Sequence, residues 1–167
     1  MHDGKLKYKI RFIDSFKFMS ASLDKLVNNL KPDQFRNLKE QFNDIELFEF
    51  NDTELLVRKG VFPYDWFDSP EKLSERNLPT KEAFYSKLND CDITDEDFEH
   101  AQKVWKHFKM TTFREYHDLY LKTDVLLLVD VFENFRDICM KNFELDPAWH
   151  NTAPGFAWDA CLKNTGV

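Results

Sequence analysis

Tyr120 and Asp124 stand four residues apart in the stretch YLKTD. On an α-helix, positions i and i+4 stack on one face, so the phenol and the carboxylate can aim their oxygens at one spot. A carboxylate is a hard oxygen ligand for a divalent cation, and a phenol beside it can orient a water. That pairing suits phosphodiester hydrolysis, in which metal ions activate the water and steady the leaving oxygen. The structural alternative is a packed tyrosine with a solvated or capping aspartate. The spacing alone does not choose, because it occurs twice, at Tyr64/Asp68 and at Tyr120/Asp124. The first pair lies in a proline-flanked loop, where i+4 does not imply adjacency; the second lies in a strongly helical segment. A metal site needs further carboxylates, yet Asp118 and Asp130 are displaced from the face of Asp124 on a helical wheel. Asp14, in FIDS, either approaches in space or simply satisfies the turn that follows it.

The elements that must position these groups are mostly helical. Thr112 and Glu115 form a T-x-x-E capping box that starts the segment around Tyr120. Its apolar stripe is Leu121, Val125, Leu128, Phe132, Phe135 and Cys139, and Asp146-Pro147 breaks it. ITDEDFEHAQKVWKHF forms another helix, with Thr94 as its cap and Phe98, Ala101, Val104, Trp105 and Phe108 on one stripe. Ser20 or Ser22 caps SLDKLVNNL, and QFRNLKEQF follows as a second short helix. NDTELLVRKG reads as a helix from Asp52 to its stop at Gly60, and LPTKEAFYSKL as one capped by Thr80. Thr152 opens a last helix that stops near Gly166. LKYKIRFID, residues 6–14, alternates strictly and reads as a strand with Leu6, Tyr8, Ile10 and Phe12 on its buried face. Its other face carries Lys5, Lys7, Lys9 and Arg11, either as contacts to DNA phosphate or as the solvated guard of an edge strand. The fold class expected is α+β, mainly helical with a small sheet.

Composition narrows the function. A net charge of −7 argues against a freestanding nucleic-acid coat protein, but not against an enzyme that handles DNA through metal ions. With four glycines there is no phosphate-binding loop. Cys91, Cys139 and Cys161 lack zinc or redox spacing, and His100 and His107 sit two turns apart, too far for one metal. The N-terminus carries no apolar signal core and no segment is apolar enough to span a membrane, so an intracellular protein is expected.

Five stretches resemble, in order and over nearly the whole chain, the exonuclease region of family B DNA polymerases. The likeness is to the protein-primed branch, with its organellar, viral and Maverick/Polinton-type enzymes. They are FIDSFKFMSASLDKLVNNL, the loop KGVFPYDWFDSPEKL, LPTKEAFYSKL, the run DEDFEHAQKVWKHFKMTTFREYHDLYLKTDVLLLVDVFENFRDIC, and LDPAWHNTAPGFAWDACLKNTG. The resemblance implies that YLKTD is the third exonuclease motif, with Asp124 a ligand of Mg2+ or Mn2+ and Tyr120 positioning the attacking water or the scissile phosphate. It implies an incomplete ribonuclease H-like fold, with residues 1–145 the later part of the exonuclease domain and 146–167 the start of the polymerase region. The parent activity implied is template-directed DNA synthesis with 3′→5′ proofreading, with DNA and a priming protein as partners.

The family's first motif, Asp-x-Glu, is not among the 13 residues before Asp14, and its second motif and the polymerase aspartates are also missing. One carboxylate and one phenol make a poor magnesium site, since Mg2+ keeps its waters unless several oxygens converge. The chain alone is therefore expected to be inactive and, with an unpaired sheet edge, prone to self-association. The alternative is a decayed or domesticated module that binds DNA or protein without catalysis, through the basic strand face and the Lys59–Trp66 loop.

Overall fold

The computed structural model describes residues 10–43 and 52–166, and every regular element among them is helical. The α-helices are α1 (Leu23–Val27), α2 (Arg36–Asn43), α3 (Asp95–His107), α4 (Phe113–Phe143) and α5 (Ala153–Thr165), joined by 3-10 turns and loops. The chain divides into two compact units, Ser22–Val131 and Met1–Ala21 with Phe132–Val167, so the boundary falls inside α4.

Local chemistry accounts for most helix starts. The Ser22 hydroxyl accepts from the Lys25 N–H at the start of α1, Thr94 from Asp97 N–H at α3, and Thr152 from Gly155 N–H at α5. At α4 the Glu115 carboxylate accepts from the backbone N–H groups of Thr111 (2.6 Å) and Thr112 (3.0 Å), which hold its carboxyl below the usual range. α5 ends at Gly166, whose φ of 73° suits a residue without a side chain.

The start of α2 is satisfied from a distance. Asp130, on α4, is fully buried. Its Oδ1 accepts from the Asn37 backbone N–H and side-chain amide, each at 2.8 Å, and its Oδ2 from Leu38 N–H at 3.0 Å. These are the orphan donors of the first turn of α2, and an anion there also meets the positive end of the helix dipole. The bonds anchor α2 while Leu38 and Phe42 are buried.

A second core, around Ala101, Val104, Met110, Phe113 and Tyr116, packs α3 and the first turns of α4 against Phe62, Trp66 and Phe67 of the loop between residues 58 and 69. In the other unit, Phe18, Phe135 and Phe143 pack around Cys139, Phe156 and Ala160. There Arg136 holds Asp146 through two bonds, at 3.0 and 2.6 Å, and Asp146 caps the following turn through Ala148 N–H.

Several expectations are corrected. The described residues contain no strand, only an isolated bridge between Ser86 and Cys91, so the α+β class with a small sheet and the ribonuclease H-like fold do not hold. Residues 6–9 of the expected strand lie outside the described residues. Residues 10–14 form no strand, and Phe12, placed on the buried face by the alternation, is 93% exposed. Alternation marks a chain able to join a sheet; without a neighbouring ladder its backbone groups find no strand partner. NDTELLVRKG forms only a 3-10 turn at Asp52–Leu55, and LPTKEAFYSKL only one at Lys81–Phe84. Both are too short to repay helix nucleation without a packed face. On α4 the apolar stripe is also misassigned over its first half. Leu121 (54%), Val125 and Leu128 are exposed, while Thr123, Leu127, Asp130, Val131 and Asn134 are buried.

Because the Asp130 carboxylate satisfies buried donors, Asp130→Ala leaves them unpaired. Its cost is expected to be on the order of 2–4 kcal/mol of unfolding free energy. Denaturant titration of the variant against the parent chain measures it; a loss within a few tenths would break the assignment of Asp130 as the anchor of α2.

Candidate functional site

The site forms where the loop from Arg58 to Trp66 crosses the first turns of α4. The loop has no ladder of backbone bonds, so side chains of α4 hold it. The Tyr116 hydroxyl donates to the Val61 carbonyl at 2.6 Å. One turn further along α4, the Tyr120 ring stacks on Phe62, with centroids 5.0 Å apart and planes 28° apart. Phe62 in turn meets Phe67 and Phe113 edge-on or tilted. Gly60 is needed for this crossing: a Cβ there would lie 3.2 Å from Cδ2 of Tyr120.

This crossing delivers Lys59 to Tyr120 and Asp124. The Lys59 ammonium donates to the Tyr120 hydroxyl at 3.2 Å, lies 3.8 Å from Asp124 Oδ1, and is 5.6 Å from the Tyr120 ring centroid. The Tyr64 and Tyr120 hydroxyls are bonded at 2.6 Å. The pair Lys59–Asp124 is about two-thirds buried on each side, where screening is weaker than on an open surface. Asp124 Oδ1 is buried and has no hydrogen-bond partner among the described residues.

The phenols respond to this surrounding. Tyr64 is pushed up to about 12, first by burial of its hydroxyl end and next by its bond to Tyr120; Lys59 opposes the shift and Asp124 adds to it. Most of the Tyr64 residue is nevertheless exposed. Burial also raises Tyr120, with the Asp124 charge adding to it and the bond from Tyr64 opposing it. Both phenols stay protonated at neutral pH; the bond between them takes one of the two protons and leaves the other for a phosphate oxygen or a water.

Beside Lys59 opens a cleft of about 510 Å³, lined by Arg58, Lys59 and Gly60 on one side and Asp24, Glu96 and Asp97 among others. Arg58 is engaged there by Asp97 and lies 3.7 Å from Glu96.

The structure thus brings Tyr120 and Asp124 to one ammonium. It does not bring the other carboxylates named from the sequence: Asp118 faces His117 Nδ1 at 2.8 Å, Asp130 anchors α2, and Asp14 accepts from Phe16 N–H at 3.0 Å in the following turn. Of the basic row, Lys5, Lys7 and Lys9 lie outside the described residues. Arg11 donates to the Trp149 carbonyl at 2.5 Å and stands 5.9 Å from the centre of its ring. Lys59 and Tyr64 were not singled out by sequence reasoning as site residues. Their signal was the loop KGVFPYDW, whose aromatic content and glycine announce a close packing partner but not which helix face receives it. The proline-flanked loop around Tyr64 argues against adjacency to Asp68, and Asp68 indeed pairs with Lys72 at 3.0 Å. No family model, curated protein or solved structure matches the chain.

The phenol pair gives a pH prediction. Tyr64 has a folded value raised above its ordinary value of 10.0, so the contact is at full strength below pH 10 and is lost as pH rises through about 12. In a spectrophotometric titration, Tyr120→Phe is expected to bring the Tyr64 ionisation down towards pH 10. An unmoved high-pH titration would show that the two hydroxyls do not meet.

Proposed function

We propose that the chain is a segment of a family B DNA-directed DNA polymerase of the protein-primed branch, from the region that carries 3′→5′ exonuclease activity in DNA replication. The observation that carries this reading is the convergence of three groups suited to a phosphodiester: the Lys59 ammonium lies 3.2 Å from the Tyr120 hydroxyl and 3.8 Å from Asp124 Oδ1. The ordered sequence resemblance supplies the nucleic-acid substrate; the geometry supplies roles.

Lys59 acts as a fixed positive charge beside the scissile phosphate, where charge builds on the non-bridging oxygens as water attacks. Tyr120, neutral and held between Lys59 and Tyr64, donates to the phosphate or orients the water. Tyr64 keeps the Tyr120 hydroxyl in place from the solvent side. Asp124 would offer one carboxylate to Mg2+ or Mn2+ through Oδ1, which is buried, accepts no hydrogen bond and faces the Lys59 ammonium at 3.8 Å. Such an ion would supply Lewis-acid activation of the water and the leaving oxygen. The partners in this reading are a DNA 3′ terminus and, in the parent enzyme, a priming protein.

A second reading, a decayed or domesticated module that binds DNA or protein without catalysis, is favoured by one observation. Among the described residues no three His, Cys, Asp or Glu side chains gather as a metal site. In that reading Lys59 neutralises Asp124 permanently, and the aromatic loop makes the contacts.

The test is digestion of end-labelled single-stranded DNA by the purified chain and by the longest protein encoded in frame with it. The longer protein is expected to release nucleotides from the 3′ end with Mg2+. Asp124→Asn is expected to lower that rate by about a hundredfold or more, and Lys59→Met by about tenfold to a hundredfold. Digestion indifferent to Asp124→Asn would refute the exonuclease role. Metal-dependent digestion by the chain alone, abolished by the same change, would show that the chain is not merely a segment of the site.

A further inference from the structure

A small cavity lies under the crossing of loop and helix, on the protein side of Tyr120. It measures about 30 Å³, and its walls include Leu56, His100, Val104, Tyr116, Tyr120 and Thr123. Most of this lining is apolar. The exception that matters is Thr123, on α4 immediately before Asp124: the residue is only 5% exposed, and its Oγ1 is buried with no hydrogen-bond partner among the described residues. A hydroxyl left unpaired in such a place is destabilising, and folded proteins nearly always avoid it.

The size and the orphan hydroxyl together select the ligand. A cavity of this volume is too small for an organic molecule but exceeds the roughly 10–15 Å³ that one water needs. An apolar occupant would leave Thr123 unpaired. A water can both donate and accept, but it needs at least two polar partners to stay. His100 lines the cavity from α3 and can supply the second; Arg58, also in the lining, is engaged by Asp97. Burial, with the Arg58 charge next, lowers the pKa of its imidazole. The neutral ring offers one N–H and one lone pair. The Tyr116 hydroxyl is already committed to the Val61 carbonyl.

We propose that this cavity is a built hydration site, in which one ordered water is held between the Thr123 hydroxyl and the His100 imidazole and fills the space against the Tyr120 ring. The water adds a polar tie between α3 and α4 to the apolar packing of Ala101 and Val104 with Phe113 and Tyr116. It also supports the Tyr120 ring from within, as Phe62 supports it from the loop. The site stands independently of the nuclease reading, since it needs only the cavity, the threonine and the histidine.

Thr123→Val is the discriminating variant because it keeps the shape and removes the hydroxyl. If the cavity is dry, the change removes an unpaired polar group and the thermal unfolding midpoint of the full chain stays or rises. If a water is held, the change strips it of a partner and the midpoint falls by a few degrees, the result expected. A midpoint unchanged or raised would overturn the proposal. Crystals of the full chain, and of Thr123→Ser, which keeps the hydroxyl, give a second reading that does not depend on the valine variant folding. Both are expected to show one isolated density peak within hydrogen-bond distance of Oγ of residue 123. A hydroxyl turned onto the Leu119 carbonyl, with no density in the cavity, would overturn the proposal. Either failure leaves the DNA-digestion test untouched.

Discussion

The bond from the Tyr116 hydroxyl to the Val61 carbonyl is the constraint on which the site depends. The loop from residue 58 to residue 66 runs without a strand or helix of its own, so its position is set by what it rests on. Tyr116 fixes the main chain at Val61, and Phe62 wedges between Phe113 and Tyr120. With those two points held, Gly60 passes over the Tyr120 ring so closely that a Cβ would crowd it, and Lys59 arrives at the phenol. Residues 116, 120 and 124 are each one turn apart on α4. The turns of a single helix therefore read out as anchor, phenol and carboxylate in order.

The same helix carries its structural polar groups on the other side. Asp130 is fully buried, yet each of its oxygens accepts from the start of α2. Burying a charge is unfavourable unless it is hydrogen-bonded, and here the helix N-terminus supplies both the donors and the positive end of the dipole. This helps draw inward the face of α4 that carries Asp130, with Leu127 and Val131, while Leu121, Val125 and Leu128 face solvent. The polar bonds of Asp130 have fixed geometry, which an apolar count does not register.

The electrostatics of the site follow from the partial burial of its members. Lys59 and Asp124 are near enough to attract but not in full contact, at 3.8 Å, and the ammonium spends its closer bond on the Tyr120 hydroxyl. Burial keeps the phenols protonated well beyond neutral pH. One cation, one carboxylate and a bonded pair of phenols are thus gathered at a single crossing.

The amino-acid sequence by itself determined the helices that carry their own start signals: Ser22, Thr94, Thr112 with Glu115, and Thr152 are local chemistry, and α1, α3, α4 and α5 begin where those residues stand. It also determined that Tyr120 and Asp124 share a face, because helical geometry needs no tertiary contact to stack positions four apart. The inward face of α4, the partnership of Asp130 with α2, and the meeting of Lys59 and Tyr64 with Tyr120 were decided only by tertiary structure. Each depends on a partner far away in the chain, 93 residues for Asp130 and Asn37, and 61 for Lys59 and Tyr120. Periodicity records which residues can face a neighbour; only packing decides whether the neighbour exists and which face it takes.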